Sequence, residues 1–150
     1  MILVSQALLL REGKRLVFTN GVFDILHAGH VRYLAQARQL GDLLLVGMNS
    51  DESVRRLGKG PGRPINPLCD RAEVLEGLRA VDGVVAFEED APLNLVEILR
   101  PEVYVKGGDY EIARLPEAAV VHGYGGEVRL LPFLEGRSTT AILQKTERPS

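Results

Sequence analysis

A chain of 150 residues with a net charge of −2 is the size of one ordinary domain, and it lacks the positive excess that attracts nucleic acid or an anionic membrane. Hydrophobic residues make up 45% and charged residues 25%, which is typical of globular proteins, and the single cysteine, Cys69, excludes an intrachain disulfide. We therefore expect one cytoplasmic domain over residues 1–150 that binds small molecules rather than nucleic acid or membrane.

The N-terminal segment, residues 1–14, opens with an apolar run. It lacks the basic start and the small-residue cleavage site of a secretory signal. Its apolar stretch is also far shorter than the roughly 20 residues that cross a bilayer. We predict that this segment is a short helix or an arm packed on the domain.

Strands and helices alternate along the rest of the chain. β-rich or continuously apolar runs predict strands over residues 15–21, 43–49, 83–87, 102–110 and 127–133. Helical spacing and capping residues predict helices over 30–42, from Asn66 as N-cap with Pro67 as first helical residue, over 91–100 and over 138–146. This alternation predicts an α/β fold, a Rossmann-like doubly wound parallel sheet of about five strands with helices on both faces.

Polar residues cluster where the predicted strands end. In open parallel sheets, ligands bind beyond the carboxyl ends of the strands, at the point where the strand order reverses. We therefore expect the clusters to form one site. They run from Thr19 to His30, from Asn49 to Asp51, from Lys106 to Tyr110 and from Gly136 to Thr140.

The first cluster contains two histidines three residues apart, His27 and His30, on either side of Gly29. At a strand-to-helix junction, this spacing puts both imidazoles on one side of the helix start, where free N–H groups and the helix dipole favour a phosphate. Gly29 lets a ligand approach without a Cβ in the way. The stretch predicts a phosphate cradle. A purely structural pair, or a zinc site with Asp24 as third ligand, is the alternative, although the spacing differs from that of metalloprotease helices.

The stretch GVFDILHAGH resembles the G-x-F-D-x-x-H-x-G-H motif of the cytidylyltransferase-like nucleotidyltransferases, and GRSTTAIL resembles their second motif, a Ser/Thr run that opens a late helix. Within that superfamily, NSDESVRRL, RPINP and VKGGDY are most similar to the adenylyltransferase domain of the bacterial heptose-phosphate enzymes. The likeness covers nearly the whole chain. Arg137 departs from it, because that branch often has a small residue or cysteine there.

The resemblance implies transfer of AMP from ATP to D-glycero-β-D-manno-heptose 1-phosphate, which gives pyrophosphate and the ADP-heptose used for lipopolysaccharide core or other surface glycans. It implies Mg²⁺ bound by the ATP phosphates and water rather than by a protein metal site. Such domains are often fused to a sugar kinase, and at this length we expect a stand-alone form. Related domains are commonly dimers, so a homodimer or higher homo-oligomer is expected.

The resemblance and the strand ends together distribute roles over particular residues. Catalytic contacts with phosphate are expected from His27, His30, Arg71 and Lys106. Nucleotide binding is expected from Asn20, Gly21, Phe23, Asp24, Gly29, Gly107, Asp109, Ser138, Thr139 and Thr140. Recognition of the sugar phosphate is expected from Asn49, Asp51 and Arg63. Structural roles stay open for Asp24, which could organise its own turn, and for Asn49 and Asp51, which could cap a helix.

Other functions fit the residues less well. A cytidylyltransferase acting on glycerol 3-phosphate or another phosphorylated alcohol would share the chemistry, but VKGGDY and FLEGRSTT differ from the patterns usual in glycerol-3-phosphate enzymes. A nucleotide-binding module without catalysis is disfavoured because both histidines and the Ser/Thr run are intact. A dinucleotide oxidoreductase requires G-x-G-x-x-G after the first strand, and TNGVFDILHAGH lacks it.

Overall fold

A five-stranded sheet with helices on both faces organises residues 1–132 and 138–146, the part of the chain that the computed structural model describes. The strands are β1 (Leu16–Gly21), β2 (Leu43–Asn49), β3 (Gly83–Phe87), β4 (Val103–Gly107) and β5 (Glu127–Leu131). The helices are α1 (Val4–Arg11), α2 (Ala28–Arg38), α3 (Asp51–Arg56), α4 (Leu68–Glu76), α5 (Leu93–Leu99), α6 (Pro116–Gly123) and α7 (Thr139–Thr146). None of the helices in this part of the chain has the length and apolarity needed to span a membrane.

The strands pair in the order β3-β2-β1-β4-β5, and every pairing is parallel. The chain builds outward from β1 to β3 and then crosses to the other side of β1 for β4. The strand order therefore reverses between β1 and β4, where Thr19 lies opposite Val105. Parallel sheets open a crevice at such a point. The prediction of a doubly wound parallel sheet is confirmed.

Both faces of the sheet are apolar because helices cover each of them. Leu16 and Phe18 of β1 pack in a cluster that also holds residues of α1, α5 and α6. Val17, between them, points to the opposite face and packs with residues of α2 and α4. This alternation explains why the central strands read as continuous apolar runs, and it leaves the polar positions at their carboxyl ends.

Boundaries are closest to prediction in the buried strands. The strands expected over 43–49 and 83–87 occur over those residues. The helix α1 lies within the first 14 residues and buries Ala7. The short helix α6 had no separate prediction. The helix α3 is the one that Asn49 or Asp51 could have capped, and its N-cap is Ser50. The strand β5 ends at Leu131, and the last residue predicted for it, Phe133, lies outside the described residues, as do Gly136 and Arg137 of the second motif.

The prediction that Asn66 caps α4 is wrong. Pro67 is the N-cap, with the extended backbone angles φ −64° and ψ 160°. The Asn66 side chain instead donates a hydrogen bond to the main-chain carbonyl of Asp24 at 2.8 Å. A tertiary contact therefore outweighs the local capping preference of asparagine.

Candidate active site

The turn after β1 carries the first motif into α2. His27 is the N-cap of this helix, and its Nδ1 accepts a hydrogen bond from the Gly29 N–H at 3.1 Å. The His30 ring stacks on the His27 ring with 3.9 Å between centroids. His30 also contacts Phe23, with 5.3 Å between the two ring centroids. A Cβ on Gly21 would come within 2.9 Å of the Phe23 ring. Gly21 thus leaves room for the aromatic side chain that supports His30.

His30 is neutral at pH 7 in the ligand-free protein. Burial, and after it the neighbouring His27, lower the pKa of His30 from 6.5 to about 4. Its Nδ1 is buried and has no hydrogen-bond partner among the described residues. A neutral imidazole at a helix start can donate a hydrogen bond to an anion, and it takes up a proton when a negative charge arrives.

Asp24 ties the loop over 58–67 to the first motif. Its buried carboxylate accepts the N–H groups of Ile65 and Asn66 at 2.9 Å and forms an ion pair with Arg63. Burial alone raises the pKa of Asp24, but these two N–H groups and the guanidinium outweigh it and hold the pKa below 3.8. The carboxylate is therefore charged at neutral pH and fixes the loop beside the histidines.

Arg71 joins the end of β2 to the first motif. Its Nη1 donates to the Val22 carbonyl at 2.7 Å, and its Nη2 donates to the Asn49 carbonyl at 3.0 Å and to Asp51 Oδ1 at 2.7 Å. Its Nε donates to the Asn66 carbonyl at 2.9 Å, and no part of the side chain is exposed. These contacts tie the end of β2 to the turn after β1. The guanidinium does not line the cavity that is described below.

Lys106 extends from β4 on the other side of β1. Its Nζ donates to Asn20 Oδ1 at 3.4 Å and lies 3.5 Å from Glu117 Oε1. Asn20 Oδ1 also accepts a hydrogen bond from the Tyr104 hydroxyl at 2.6 Å. The ammonium is therefore held beside the carboxyl ends of β1 and β4, where the strand order reverses.

The second motif meets the first at this edge of the sheet. Thr139, the first residue of α7, donates its hydroxyl hydrogen bond to the Ile25 carbonyl at 3.2 Å. Ser138 Oγ accepts the Ala141 N–H at 3.0 Å, which is an N-cap contact. The contact between Thr139 and the turn after β1 joins two motifs that lie more than a hundred residues apart.

These groups surround a cavity of about 420 Å³ at the reversal of strand order. Most of the site residues predicted from sequence lie on its wall. They are Asn20, Gly21, Phe23, Asp24, His30, Asn49, Arg63, Lys106, Gly107, Thr139 and Thr140.

The remaining predicted residues lie off that wall. His27 stacks on His30, and Gly29 belongs to the helix start. Asp109 lines a neighbouring cavity of about 560 Å³, which shares Lys106 with the first. The other three make structural contacts described above. Arg71 pairs with Asp51 after the end of β2, and Ser138 accepts the N-cap hydrogen bond of α7.

Six wall residues have no individual role predicted from sequence. Val22 and Tyr110 lie within the predicted clusters at the strand ends, whereas Tyr33, Leu57, Lys59 and Asp90 lie outside them. Lys59 could have been found from the charge of the basic GKGPGRP loop, which also contains Arg63. Tyr33 had no such signal, because its place depends on contacts between distant segments. Its hydroxyl lies 2.7 Å from Thr19 Oγ1 and donates to the Val105 carbonyl at 3.2 Å.

Sequence comparison places known proteins beside this chain. The profile of the family described as cytidylyltransferase-like matches residues 18–144. The chain is 59% identical over 137 residues to the bifunctional protein HldE of Hahella chejuensis, which covers 91% of this chain. It is 59% identical over 134 residues, 89% of the chain, to the same-named protein of Pseudomonas aeruginosa strain LESB58. The chain spans 28% of the length of each of these relatives.

Solved structures show the same fold. The lipopolysaccharide core biosynthesis protein of Thermoplasma volcanium superposes with a TM-score of 0.67 at 29% identity, over 83% of this chain and 100% of that one. The pantothenate synthetase of Thermus thermophilus superposes with a TM-score of 0.62 over 89% of this chain and 61% of that one. At 17% identity, the second match indicates a shared fold alone.

Proposed function

This chain belongs to the cytidylyltransferase-like family of nucleotidyltransferases, and we propose that it transfers AMP from MgATP to D-glycero-β-D-manno-heptose 1-phosphate in the cytoplasm. The observation that carries the proposal is the convergence of both motifs on one cavity, with His30 and the Thr139–Thr140 pair on its wall. The sugar is supported by the heptose-branch segments NSDESVRRL and VKGGDY and by the 59% identity to HldE proteins. A structural relative named for lipopolysaccharide core biosynthesis supports it further.

The proposed reaction exchanges one phosphoanhydride bond for another. An oxygen of the sugar 1-phosphate attacks the α-phosphorus of ATP, the bond from this phosphorus to the bridging oxygen breaks, and pyrophosphate leaves with that electron pair. The attacking phosphate is already anionic, so no general base is needed. The site has to bring two polyanions together and to stabilise the charge that builds up in the transition state.

The wall of the cavity supplies donors for this task. The His30 imidazole and the Lys106 ammonium both lie on the cavity wall and would contact the phosphates there. The hydroxyls of Thr139 and Thr140 lie at the start of α7, where N–H groups also favour phosphate. Exposed Lys59 adds a cation from the loop that Asp24 holds in place.

Mg²⁺ enters the proposal as part of the MgATP substrate. Within residues 1–132 and 138–146, no three histidine, cysteine or acidic side chains come together as a metal-binding group. Asp24, which lies on the cavity wall, is already committed to Arg63 and two N–H groups. Because Mg²⁺ keeps several waters and binds readily to nucleotide phosphates, this donor set fits an ion held mainly by ATP.

Pyrophosphate release measured with Mg²⁺ tests the proposed function. ATP and CTP are each combined with the heptose 1-phosphate and with glycerol 3-phosphate. We expect release only from ATP with the heptose 1-phosphate. Release from CTP with glycerol 3-phosphate would replace the proposed substrates with those of the alternative, and silence in all four combinations would contradict catalysis on either pair.

We expect MgATP binding at pH 6 to be accompanied by proton uptake at His30. In the free protein the pKa of His30 is about 4, so the ring is neutral at pH 6. A triphosphate beside the ring favours its charged form and raises the pKa, so the complex binds up to about one more proton than its separate components. Calorimetry in two buffers of different ionisation enthalpy measures this uptake. His30→Asn should abolish it, and equal uptake in the variant would show that the proton goes elsewhere.

A further inference from the structure

Glu117 is a buried carboxylate that the proposed reaction does not use. It lies in the first turn of α6, and its side chain is 3% exposed. Its Oε2 has no hydrogen-bond partner within the described residues. A buried charge that is incompletely paired costs folding free energy, because water would have solvated it in the unfolded chain. This cost suggests a role for Glu117 other than stability.

Glu117 lies next to the lysine of the candidate active site. Its Oε1 is 3.5 Å from Lys106 Nζ. Lys106 lines both the cavity over the histidines and the neighbouring cavity of about 560 Å³, whereas Glu117 lines only the second. The carboxylate therefore contacts the ammonium without lining the cavity that His30 lines.

Glu117 also affects the group that shares a hydrogen-bond acceptor with Lys106. Asn20 Oδ1 accepts from Lys106 Nζ at 3.4 Å and from the Tyr104 hydroxyl at 2.6 Å. Burial, followed by the negative charge of Glu117 and a side-chain hydrogen bond with it, raises the pKa of Tyr104. The phenol therefore interacts with Glu117 as well as with Asn20.

We propose that Glu117 is a positioning residue, which orders the Lys106 ammonium before MgATP binds. A long lysine side chain loses conformational entropy when it is fixed on a ligand, and prior ordering by Glu117 and Asn20 removes part of that cost from the reaction. The inference rests on the proposed function, because an ordered ammonium is useful only to an anionic substrate. If Glu117 instead acted only by stabilising α6, as a negative charge near the positive N-terminal end of the helix dipole, its removal would change stability alone.

The first test observes the lysine directly. Lys106 is one of four lysines in the chain, so ¹⁵N-lysine labelling gives few ammonium resonances, and Lys106→Arg identifies the one to follow. Glu117→Gln keeps the shape of the side chain and removes its charge. We expect the Lys106 resonance to shift or to broaden beyond detection in Glu117→Gln. It should stay in place in Glu97→Gln, which makes the same charge change on the exposed surface of α5.

The second test measures turnover with the substrates of the proposed function. We expect Glu117→Gln to lower kcat about tenfold, the low end of the losses seen when a supporting partner is removed at metal sites. The KM for MgATP should rise as well, because the cost of ordering Lys106 then falls on binding, and the free energy of unfolding should not fall. Because Glu117 acts through Lys106, the double variant Lys106→Ala/Glu117→Gln should be no slower than Lys106→Ala alone.

The outcomes separate this inference from the proposed function. An unchanged Lys106 resonance in Glu117→Gln overturns it whatever reaction the protein catalyses, and so does a kcat loss that persists in full in the Lys106→Ala background. If the wild-type protein releases no pyrophosphate while the resonance still shifts, the proposed function fails and the ordering of Lys106 by Glu117 stands.

Discussion

Replacing His30 by alanine should lower kcat about 100- to 1,000-fold, because an anion-binding donor aimed at a transition state is typically worth about 2.7–4 kcal/mol. His30 stands on the cavity wall at the start of α2, with a buried and unpartnered Nδ1 among the described residues. His27 stacks on it at 3.9 Å, and we expect alanine there to cost a similar factor. Steady-state pyrophosphate release with MgATP and the heptose 1-phosphate measures both variants.

A matched variant separates the role of the His27 imidazole in the reaction from its role as the N-cap of α2. His27 caps α2 by accepting the Gly29 N–H, so alanine also removes an N-cap, which costs about 0.5–2 kcal/mol of stability. Asparagine is one of the best N-caps and lacks the imidazole. His27→Asn should therefore keep the unfolding midpoint of the wild type and still lose turnover. Full activity in His27→Asn and His30→Ala would refute the role of the histidines in phosphate binding.

Replacing Arg71 by methionine should reduce the free energy of unfolding by about 3–5 kcal/mol, the usual cost of removing one partner from a buried charged pair. The guanidinium is fully buried and donates to the carbonyls of Val22, Asn49 and Asn66 as well as to Asp51. Methionine fills much of the space but supplies no donor, so buried acceptors lose their partners. Urea denaturation followed by circular dichroism measures the change.

The control for this loss is Arg55→Met on the exposed surface of α3, where Arg55 pairs with Glu52 and both side chains are more than half exposed. Such a pair is worth at most about 1 kcal/mol, so little change is expected. If Arg71→Met instead kept wild-type stability and lost turnover, Arg71 would act on substrate, as the resemblance implies.

The elements that could be predicted from sequence are those whose signal is local. The segments 43–49 and 83–87 are buried on both faces, so each reads as a continuous apolar run and each became the predicted strand. The pair His27 and His30 was predictable because a separation of three residues at a helix start determines which side both rings occupy. Alternating strands and helices then predicted the doubly wound sheet.

The same local reading misplaced the start of α4 and omitted α6. Asn66 has the chemistry of an N-cap, yet its amide donates to the Asp24 carbonyl, 42 residues away along the chain. Residues 116–123 of α6 carry little amphipathic pattern of their own, and their helix buries Ala118 and Val121 in a cluster shared with β1 and β5. Tertiary packing decided both cases.

By itself, the sequence determined the fold class, the two motifs and most of the residues on the cavity wall, because propensity, burial period and short spacings are properties of neighbouring residues. Only the tertiary structure decided which charges meet. The distance of 3.5 Å between Lys106 Nζ and Glu117 Oε1 depends on how α6 packs beside β4. The four hydrogen bonds that Arg71 donates depend on strand ends that meet at one edge of the sheet. Contacts between distant segments are set by the folded arrangement of the whole sheet, which no local pattern encodes.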